Sequence, residues 1–305
     1  MENLRLIVTP SPHVRDKDTT PNIMFAVLIS LIPVAAASLY FFGFNALRLI
    51  LLGGAAAVAT EAIFQKVRGR QITISDGSAL VTGVLLALSV PPTLPSWMII
   101  VGSVVAIAIG KQVFGGLGHN IFNPALVGRA FLVASFAQPM TTWTGPFDTV
   151  TRATPLVVGA ARSSLPDLFF GSVPGSLGET SVLAILLGGI YLFYKGIIDY
   201  RITLGVLGSA AVMSFLTGAN PVFELFSGSL LFAAVFMATD MVTSPYTPKG
   251  RWIFGIGVGF LIMLIRTWGS LPEGVTYAIL IMNAVTPLIN RWTRPRIYGQ
   301  GVHKS

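Results

Sequence analysis

Long apolar stretches recur along almost the whole chain, and they constrain its fold more than any other feature. A membrane-spanning helix requires roughly 20 apolar residues, and runs close to that length begin at ten positions. These positions are Asn22, Asn45, Gly77, Pro95, Phe122, Thr180, Ile202, Pro221, Arg251 and Pro272. The pattern predicts an all-α integral membrane protein with about ten transmembrane helices.

The composition excludes a soluble fold. Of the 305 residues, 53% are hydrophobic and 10% are charged, and the mean hydropathy is +0.75. A water-soluble protein could not bury that much apolar surface. The net charge of +8 raises the alternative of nucleic-acid binding, but the basic residues are scattered over the loops between apolar stretches. We therefore expect the lipid bilayer, and no nucleic acid, to cover this surface.

The residues available to hold a redox centre are few. The chain has no cysteine, which excludes cysteine-ligated iron–sulfur clusters and disulfides within it. Its three histidines are His13, His119 and His303, which lie in the amino-terminal segment, a glycine-rich loop and the carboxyl tail. This arrangement suits paired haem ligation poorly. We expect no metal site, and any redox centre is expected to be an organic cofactor.

The positions of lysine and arginine predict the orientation in the membrane. With ten spans both termini lie on one side, and most of the basic residues then fall in loops on that side. Arg152 and Arg162 are the two that lie well out in a loop on the other side. The sequence therefore predicts cytoplasmic termini and an outward position for the long polar interval 139–179.

A weak internal repeat predicts two inverted halves. Gly77-Ser78 opens the third apolar stretch and Gly228-Ser229 lies early in the eighth, while Asn123-Pro124 opens the fifth and Asn283 lies in the tenth. An odd separation of five spans reverses direction, so the halves would be inverted copies with broken half-helices. The frequent glycine, serine and proline of membrane helices leave chance as the alternative.

The predicted organisation has five parts. They are a cytoplasmic segment at 1–21, a five-helix repeat at 22–138, an extracytoplasmic loop at 139–179, a second five-helix repeat at 180–292 and a cytoplasmic tail at 293–305. Irregular backbone at mid-membrane depth is tolerated where it lines a cavity or binds something. The broken helices therefore mark the membrane part of any functional site.

A threonine motif lies in the long polar interval, in the sequence Asp148-Thr149-Val150-Thr151-Arg152-Ala153-Thr154. Pro155 favours extended backbone at Thr154, and the small Ala153 leaves room for a modifying enzyme. The spacing D-x-x-T-x-A-T resembles the flavinylation motif of the ion-pumping Rnf and Nqr electron-transfer complexes. An ordinary threonine-rich loop is the alternative.

The resemblance implies that FMN is joined through its phosphate to the hydroxyl of Thr154, with Thr151 and Arg152 beside the attachment point. Arg152 stands where the family usually has glycine, although its positive charge suits a neighbouring phosphate. A threonine hydroxyl is not activated by itself. A separate flavin transferase is therefore expected to catalyse the attachment.

Three other segments resemble the same family. They are Gly110–Phe131, Phe236–Pro245 and Ser11-Pro12-His13, so the resemblance extends from one end of the chain to the other. The chain is identified as a member of the family that contains the D subunits of Rnf complexes and the B subunits of sodium-pumping NADH:quinone reductases.

Membership implies a membrane subunit that relays electrons between reduced ferredoxin and NAD and couples the transfer to movement of Na⁺ or H⁺. It also implies a second, noncovalent flavin such as riboflavin. The implied partners are an outward-facing FMN subunit and cytoplasmic iron–sulfur and NAD subunits, and the implied location is a bacterial or archaeal plasma membrane. No catalytic residue is assigned to this chain.

Charged residues inside the spans are further candidates. Arg129 lies well within the fifth span, where a charge is costly without a partner. The partner would be a flavin phosphate, a lipid phosphate or Asp240. Asp240 has neighbouring threonines whose oxygens suit a cation pathway, and a hydrated helix end is the alternative. We expect Asp76 to be a helix amino-terminal acid and Glu61 to face the cytoplasmic interface.

Two rival functions remain open on the sequence. Inverted repeats with broken helices are also typical of secondary transporters and channels, which would carry no flavin. The second rival is a noncatalytic scaffold whose flavin site has degenerated, which the arginine at position 152 favours.

Overall fold

The computed structural model describes residues 18–147, 151–152, 164–269 and 274–295, and thirteen α-helices lie in these ranges. They are α1 Thr20–Phe42, α2 Phe44–Val67, α3 Ser78–Leu88, α4 Ser96–Ile107, α5 Pro124–Ser135, α6 Ala137–Met140, α7 Leu165–Phe170, α8 Val182–Tyr194, α9 Tyr200–Leu216, α10 Pro221–Phe226, α11 Leu230–Phe236, α12 Pro248–Trp268 and α13 Val275–Thr293. A π-helical turn at Ala108–Gln112 extends α4, and a 3-10 turn at Ile74–Asp76 precedes α3.

The helices confirm the prediction of an all-α membrane protein. Each of the ten apolar stretches contains at least one of them. Among the described helices, α1, α2 and α12 are each long and apolar enough to cross a membrane alone. The exception to the helical prediction is a two-residue antiparallel ladder, in which β1 Trp143–Thr144 pairs with β2 Thr151–Arg152.

Several helices begin where a short polar side chain is followed by proline. Thr19, Asn123, Asn220 and Thr247 each accept a hydrogen bond from a backbone N–H in the first turn of their helix, and each of these turns contains a proline. The side chain satisfies a donor that the helix cannot, and proline lacks the N–H that would go unpaired. Local sequence therefore fixes where α1, α5, α10 and α12 begin.

The third and eighth apolar stretches contain broken helices. α3 has 11 residues and α11 has 7 residues, and nearly all of their side chains are buried. Gly77 and Gly228 precede them with φ values of 77° and 67°, a left-handed conformation that suits glycine. The prediction of one continuous span from Pro221 was wrong, because the turn at Gly228 divides it into α10 and α11.

One face of the molecule holds both the beginning of α1 and the end of α13, and we call it the terminal face. Asn22 of α1 and Lys195, which follows α8, line one cavity. Ile197, which lines the same cavity, also lines a neighbouring one with Tyr246. The Tyr246 N–H donates to Asn290 Oδ1 of α13 at 3.2 Å. These contacts connect the two ends of the described chain.

The opposite face carries the end of α1 and the β ladder. The Phe147 N–H donates to the carbonyl of Phe41 at 3.0 Å, and the two rings pack edge to face. Phe147 follows β1 in the chain. Thr151 and Arg152 form β2, which pairs with β1. They therefore lie at the face opposite the terminal face, away from the beginning of α1 and the end of α13.

Glycines allow α2 and α3 to approach closely, and this contact gives a stability prediction. A Cβ at Gly83 would overlap the carbonyl of Gly53, so Gly83→Ala is expected to force the helices apart and lower the free energy of unfolding by about 1–3 kcal/mol. The matched control is Gly208→Ala, since a Cβ there meets nothing within 4 Å. Thermal unfolding in detergent checks the pair, and equal midpoints would contradict the packing.

Candidate functional site

A cavity lies near the terminal face, where α1, α3, the end of α8, the α4–α5 connection and the end of α11 meet. Its volume is about 80 Å³, enough for a few water molecules. The polar residues that line it are Ser78, Thr82, Lys111, Asn120, Asn123, Thr239 and Asp240. The broken helices therefore meet around a space that carries both charged and neutral polar groups.

The most deeply buried charges of the described structure form an ion pair beside this cavity. Lys111 Nζ lies 2.8 Å from Glu61 Oε1, and the two side chains are only 1% and 2% exposed. Gln112 Nε2 also donates to Glu61 Oε1 at 2.7 Å. Two charges can remain buried together when each is paired and further hydrogen-bonded.

The expectation that Glu61 faces the interface was wrong, because its side chain is buried against Lys111. The physical reason is the π-helical turn at Ala108–Gln112, which extends α4 so that Lys111 points toward α2 and α3 instead of reaching water. Such turns often mark functional sites. The sequence did contain a signal for this ion pair. It is a lysine directly after one long apolar run and a glutamate near the end of another.

A short chain of hydrogen bonds links this ion pair to the beginning of α3. Lys111 Nζ donates to Ser78 Oγ at 2.6 Å, and Ser78 Oγ donates to Asp76 Oδ1 at 2.6 Å. Asp76 Oδ1 also accepts the backbone N–H of Ser78 at 2.8 Å. The prediction that Asp76 serves as a helix amino-terminal acid is confirmed.

The two asparagines of the predicted repeat meet in the structure. The Asn123 N–H donates to Asn283 Oδ1, and Asn123 Nδ2 donates to the carbonyl of Met237, both at 3.3 Å. Asn283 Nδ2 donates to the carbonyl of Thr243 at 3.3 Å. Met237 and Thr243 flank the irregular backbone after α11, so the two asparagines hold the broken end of that helix against α5.

Asn120 lines the cavity. Its Nδ2 donates to the carbonyl of Phe122 at 3.1 Å, whereas its Oδ1 is fully buried and has no hydrogen-bond donor among the described residues. A buried acceptor without a donor is costly.

Asp240 and Arg129 have different surroundings. Asp240 Oδ1 accepts the N–H of Val242 at 3.2 Å, and Oδ2 accepts the hydroxyl of Thr243 at 3.0 Å. Arg129 is 3% exposed and donates to Ser229 Oγ at 3.4 Å, just before α11 begins. Both of these Asp240 contacts come from residues two or three positions later in the chain. Asp240 lines the cavity at one end of α11, whereas Arg129 contacts the other end of that helix.

The predicted flavin attachment site is described only in part. The backbone of Thr151 pairs with Thr144 and that of Arg152 with Trp143, so the chain is extended two residues before the attachment point. Thr154 itself and positions 148–150 lie outside the described residues. The attachment of FMN to Thr154 stays a prediction.

The fold and this site define a class of protein: a helical membrane protein with broken helices around a mainly apolar cavity that also carries polar and charged side chains. The chain belongs to the NQR2, RnfD, RnfE family, whose model matches residues 7–299. This match confirms the family resemblance that the sequence motifs indicated.

Individual relatives support the same assignment. The chain is 49% identical to the D subunit of the Na⁺-translocating ferredoxin:NAD⁺ oxidoreductase complex of Acetobacterium woodii, over 98% of this chain and 97% of the relative. It is 44% identical to the D subunit of the proton-translocating ferredoxin:NAD⁺ oxidoreductase complex of Clostridium ljungdahlii, over 96% of each. It is 40% identical to the D subunit of the ion-translocating oxidoreductase complex of Stutzerimonas stutzeri, over 93% of each.

Proposed function

We propose that this protein is the D subunit of an Rnf-type ion-translocating ferredoxin:NAD⁺ oxidoreductase complex. The observation that carries the proposal is the 49% identity to the Acetobacterium woodii relative over nearly the full length of both chains. The protein acts as one membrane subunit of a redox-driven translocase, and it works only within the complex. The coupling ion is Na⁺ or H⁺, since relatives of similar identity are named for each ion.

The redox centre that we propose for this chain is FMN, joined through its phosphate to the hydroxyl of Thr154 by a flavin transferase. FMN accepts and donates electrons. The chain supplies the attachment point and its surroundings: the extended backbone of Thr151 and Arg152 supports display of the following residues at the opposite face. At that face the chain would hold the group that exchanges electrons with an outward-facing FMN subunit, and the iron–sulfur and NAD chemistry would belong to cytoplasmic subunits.

We also propose a second, noncovalent flavin such as riboflavin, as the family resemblance implies. The cavity near the terminal face has a volume of about 80 Å³, whereas sites for ligands of this size usually occupy about 300–1,000 Å³. The described cavity therefore does not fit this flavin, and no residue of the chain is assigned to hold it.

The proposed topology has ten membrane segments in two inverted five-helix halves, with cytoplasmic termini and Thr154 outside the plasma membrane. Two features support it. The beginning of α1 and the end of α13 share one face, as an even number of crossings requires. In addition, α3 and α11 each begin near an ion pair. The pair is Lys111–Glu61 beside α3 and Arg266–Glu224 beside α11, the latter at 3.1 Å.

Asp240 is our proposed group on the ion pathway, because it lines the cavity and its carboxylate, next to the Thr243 hydroxyl, supplies oxygen atoms of the kind that suit a cation. Asp240→Asn preserves the shape and removes the charge. We expect it to lower the number of ions moved per electron while leaving FMN attachment unchanged. Ion uptake and NAD⁺ reduction are measured together in vesicles, with Asp167→Asn at the opposite face as control. An unchanged ion-to-electron ratio would remove Asp240 from the pathway.

The experiment that tests the proposed function is purification of the assembly through an affinity tag on this chain. We expect cytoplasmic iron–sulfur subunits to co-purify and the assembly to reduce NAD⁺ with reduced ferredoxin. The rival, a secondary transporter or channel, predicts a colourless single protein that moves a solute without any electron donor.

A further inference from the structure

A groove runs along the surface of the second half, between α9 and α12. These two helices are parallel, because Gly205 packs against Gly255 and Ser209 against Gly259, with a constant separation in sequence. A Cβ at Gly205 would lie only 3.1 Å from the Gly255 Cα. Small residues thus bring the two backbones close together, and the groove lies above their contact.

The groove is apolar and has the length of about one leaflet. Exposed Leu204 and Val212 form one wall, and exposed Trp252, Ile256 and Phe260 form the other. Its volume is about 780 Å³. The α9 residues that line it lie between positions 204 and 213, a distance of about 14 Å at 1.5 Å per residue, and one leaflet contributes half of a hydrocarbon core of about 30 Å.

A positively charged cluster lies at the end of the groove nearest the terminal face. Arg201 NH1 is 3.3 Å from Asp199 Oδ2, and Arg251 NH1 pairs with the same oxygen. Two guanidinium groups therefore share one carboxylate, and their side chains remain 29% and 32% exposed. The rings of Tyr200 and Trp252 pack edge to face beside them, as aromatic residues do at a membrane interface.

We propose that this groove binds one anionic phospholipid, with an acyl chain between α9 and α12 and the phosphate against Arg201 and Arg251. The excess positive charge matches an anionic headgroup, and the apolar walls match the chain below it. A transmembrane helix of a partner is the alternative occupant, and the exposed guanidinium groups at the end of the groove favour an anionic headgroup over it. The proposal does not depend on the redox function.

Photo-crosslinking in proteoliposomes tests the proposal on the assembly that contains the full chain. The probes are phosphatidylglycerol and phosphatidylcholine with the same diazirine-bearing acyl chain, and the crosslinked peptides are identified by mass spectrometry. We expect labelling of the α9 and α12 residues that line the groove. The yield should be about fivefold higher for phosphatidylglycerol, the preference that one net positive charge gives.

Three variants sharpen the test. Gly208→Leu fills the groove from a position where a Cβ meets nothing within 4 Å, and should remove the labelling by both probes. Ala55→Leu makes the same type of change on the exposed surface of α2 and should leave the labelling intact. Arg201→Gln should keep the groove labelled and reduce the preference for phosphatidylglycerol.

Several outcomes would overturn the proposal. They are equal yields for the two probes in the wild-type assembly, undiminished labelling in Gly208→Leu, and an unlabelled groove. An unlabelled groove in the wild type, together with loss of a partner subunit from the Gly208→Leu assembly, would identify a partner helix as the occupant.

Discussion

Thr154→Ala is expected to abolish the in-gel flavin fluorescence of the denatured protein without preventing its insertion into the membrane. The physical reason is that alanine has no hydroxyl to form the phosphoester. The substitution changes no residue of the described helices, so membrane insertion should be kept. The measurement is fluorescence after denaturing electrophoresis of protein made together with its flavin transferase. Mass spectrometry of the peptide that contains position 154 then shows whether the mass of FMN is attached.

Two further variants separate the attachment residue from its neighbours. Thr154→Ser keeps a hydroxyl and should retain fluorescence. Thr141→Ala removes an exposed threonine hydroxyl from the same polar interval of the sequence and should also remain fluorescent. Fluorescence that persists in Thr154→Ala after denaturation would show that FMN is attached elsewhere. A dark wild-type protein would favour the transporter or the scaffold with a degenerate flavin site.

Breaking the buried ion pair is expected to have the largest effect on stability. Lys111→Met leaves the Glu61 carboxylate buried without its partner, and Glu61→Gln leaves a buried ammonium group in the same position. Each change should lower the free energy of unfolding by about 3–5 kcal/mol, as removal of one partner from a buried pair does. Unfolding of the purified protein in detergent, followed by its helical signal, measures the loss.

The double variant tests whether the loss comes from the uncompensated charge. Glu61→Gln with Lys111→Met removes both charges, so its destabilisation should be well below the sum of the two single effects. Additive losses would mean that the two side chains act independently. Single variants as stable as the wild type would contradict the burial of the pair.

The sequence predicted the helical architecture well because local signals suffice for it. Apolar length identifies membrane helices, and a capping residue followed by proline fixes helix beginnings such as those at Asn123 and Thr247. Asn123 and Asn283 meet in the structure, and the inverted repeat itself stays a prediction.

The surroundings of the buried charges depend on tertiary contacts, which the sequence pattern does not reveal. The inward direction of Lys111 depends on a π-helical turn, for which the apolar pattern contains no signal, so Glu61 was assigned to the interface. Arg129 was expected to pair with Asp240 or a phosphate, and its hydrogen bond to Ser229 depends on how α11 is placed. The division of the eighth stretch likewise requires knowledge of the backbone at Gly228.

The family places this chain in a redox-driven ion translocase as one of its membrane subunits. The most direct measurement is ion accumulation by inverted membrane vesicles that are supplied with reduced ferredoxin and NAD⁺, from cells with and without this chain. We predict that both NAD⁺ reduction and ion uptake are lost without the chain and return when the wild-type chain is restored. Unchanged ferredoxin-driven ion uptake in the vesicles that lack it would contradict the account.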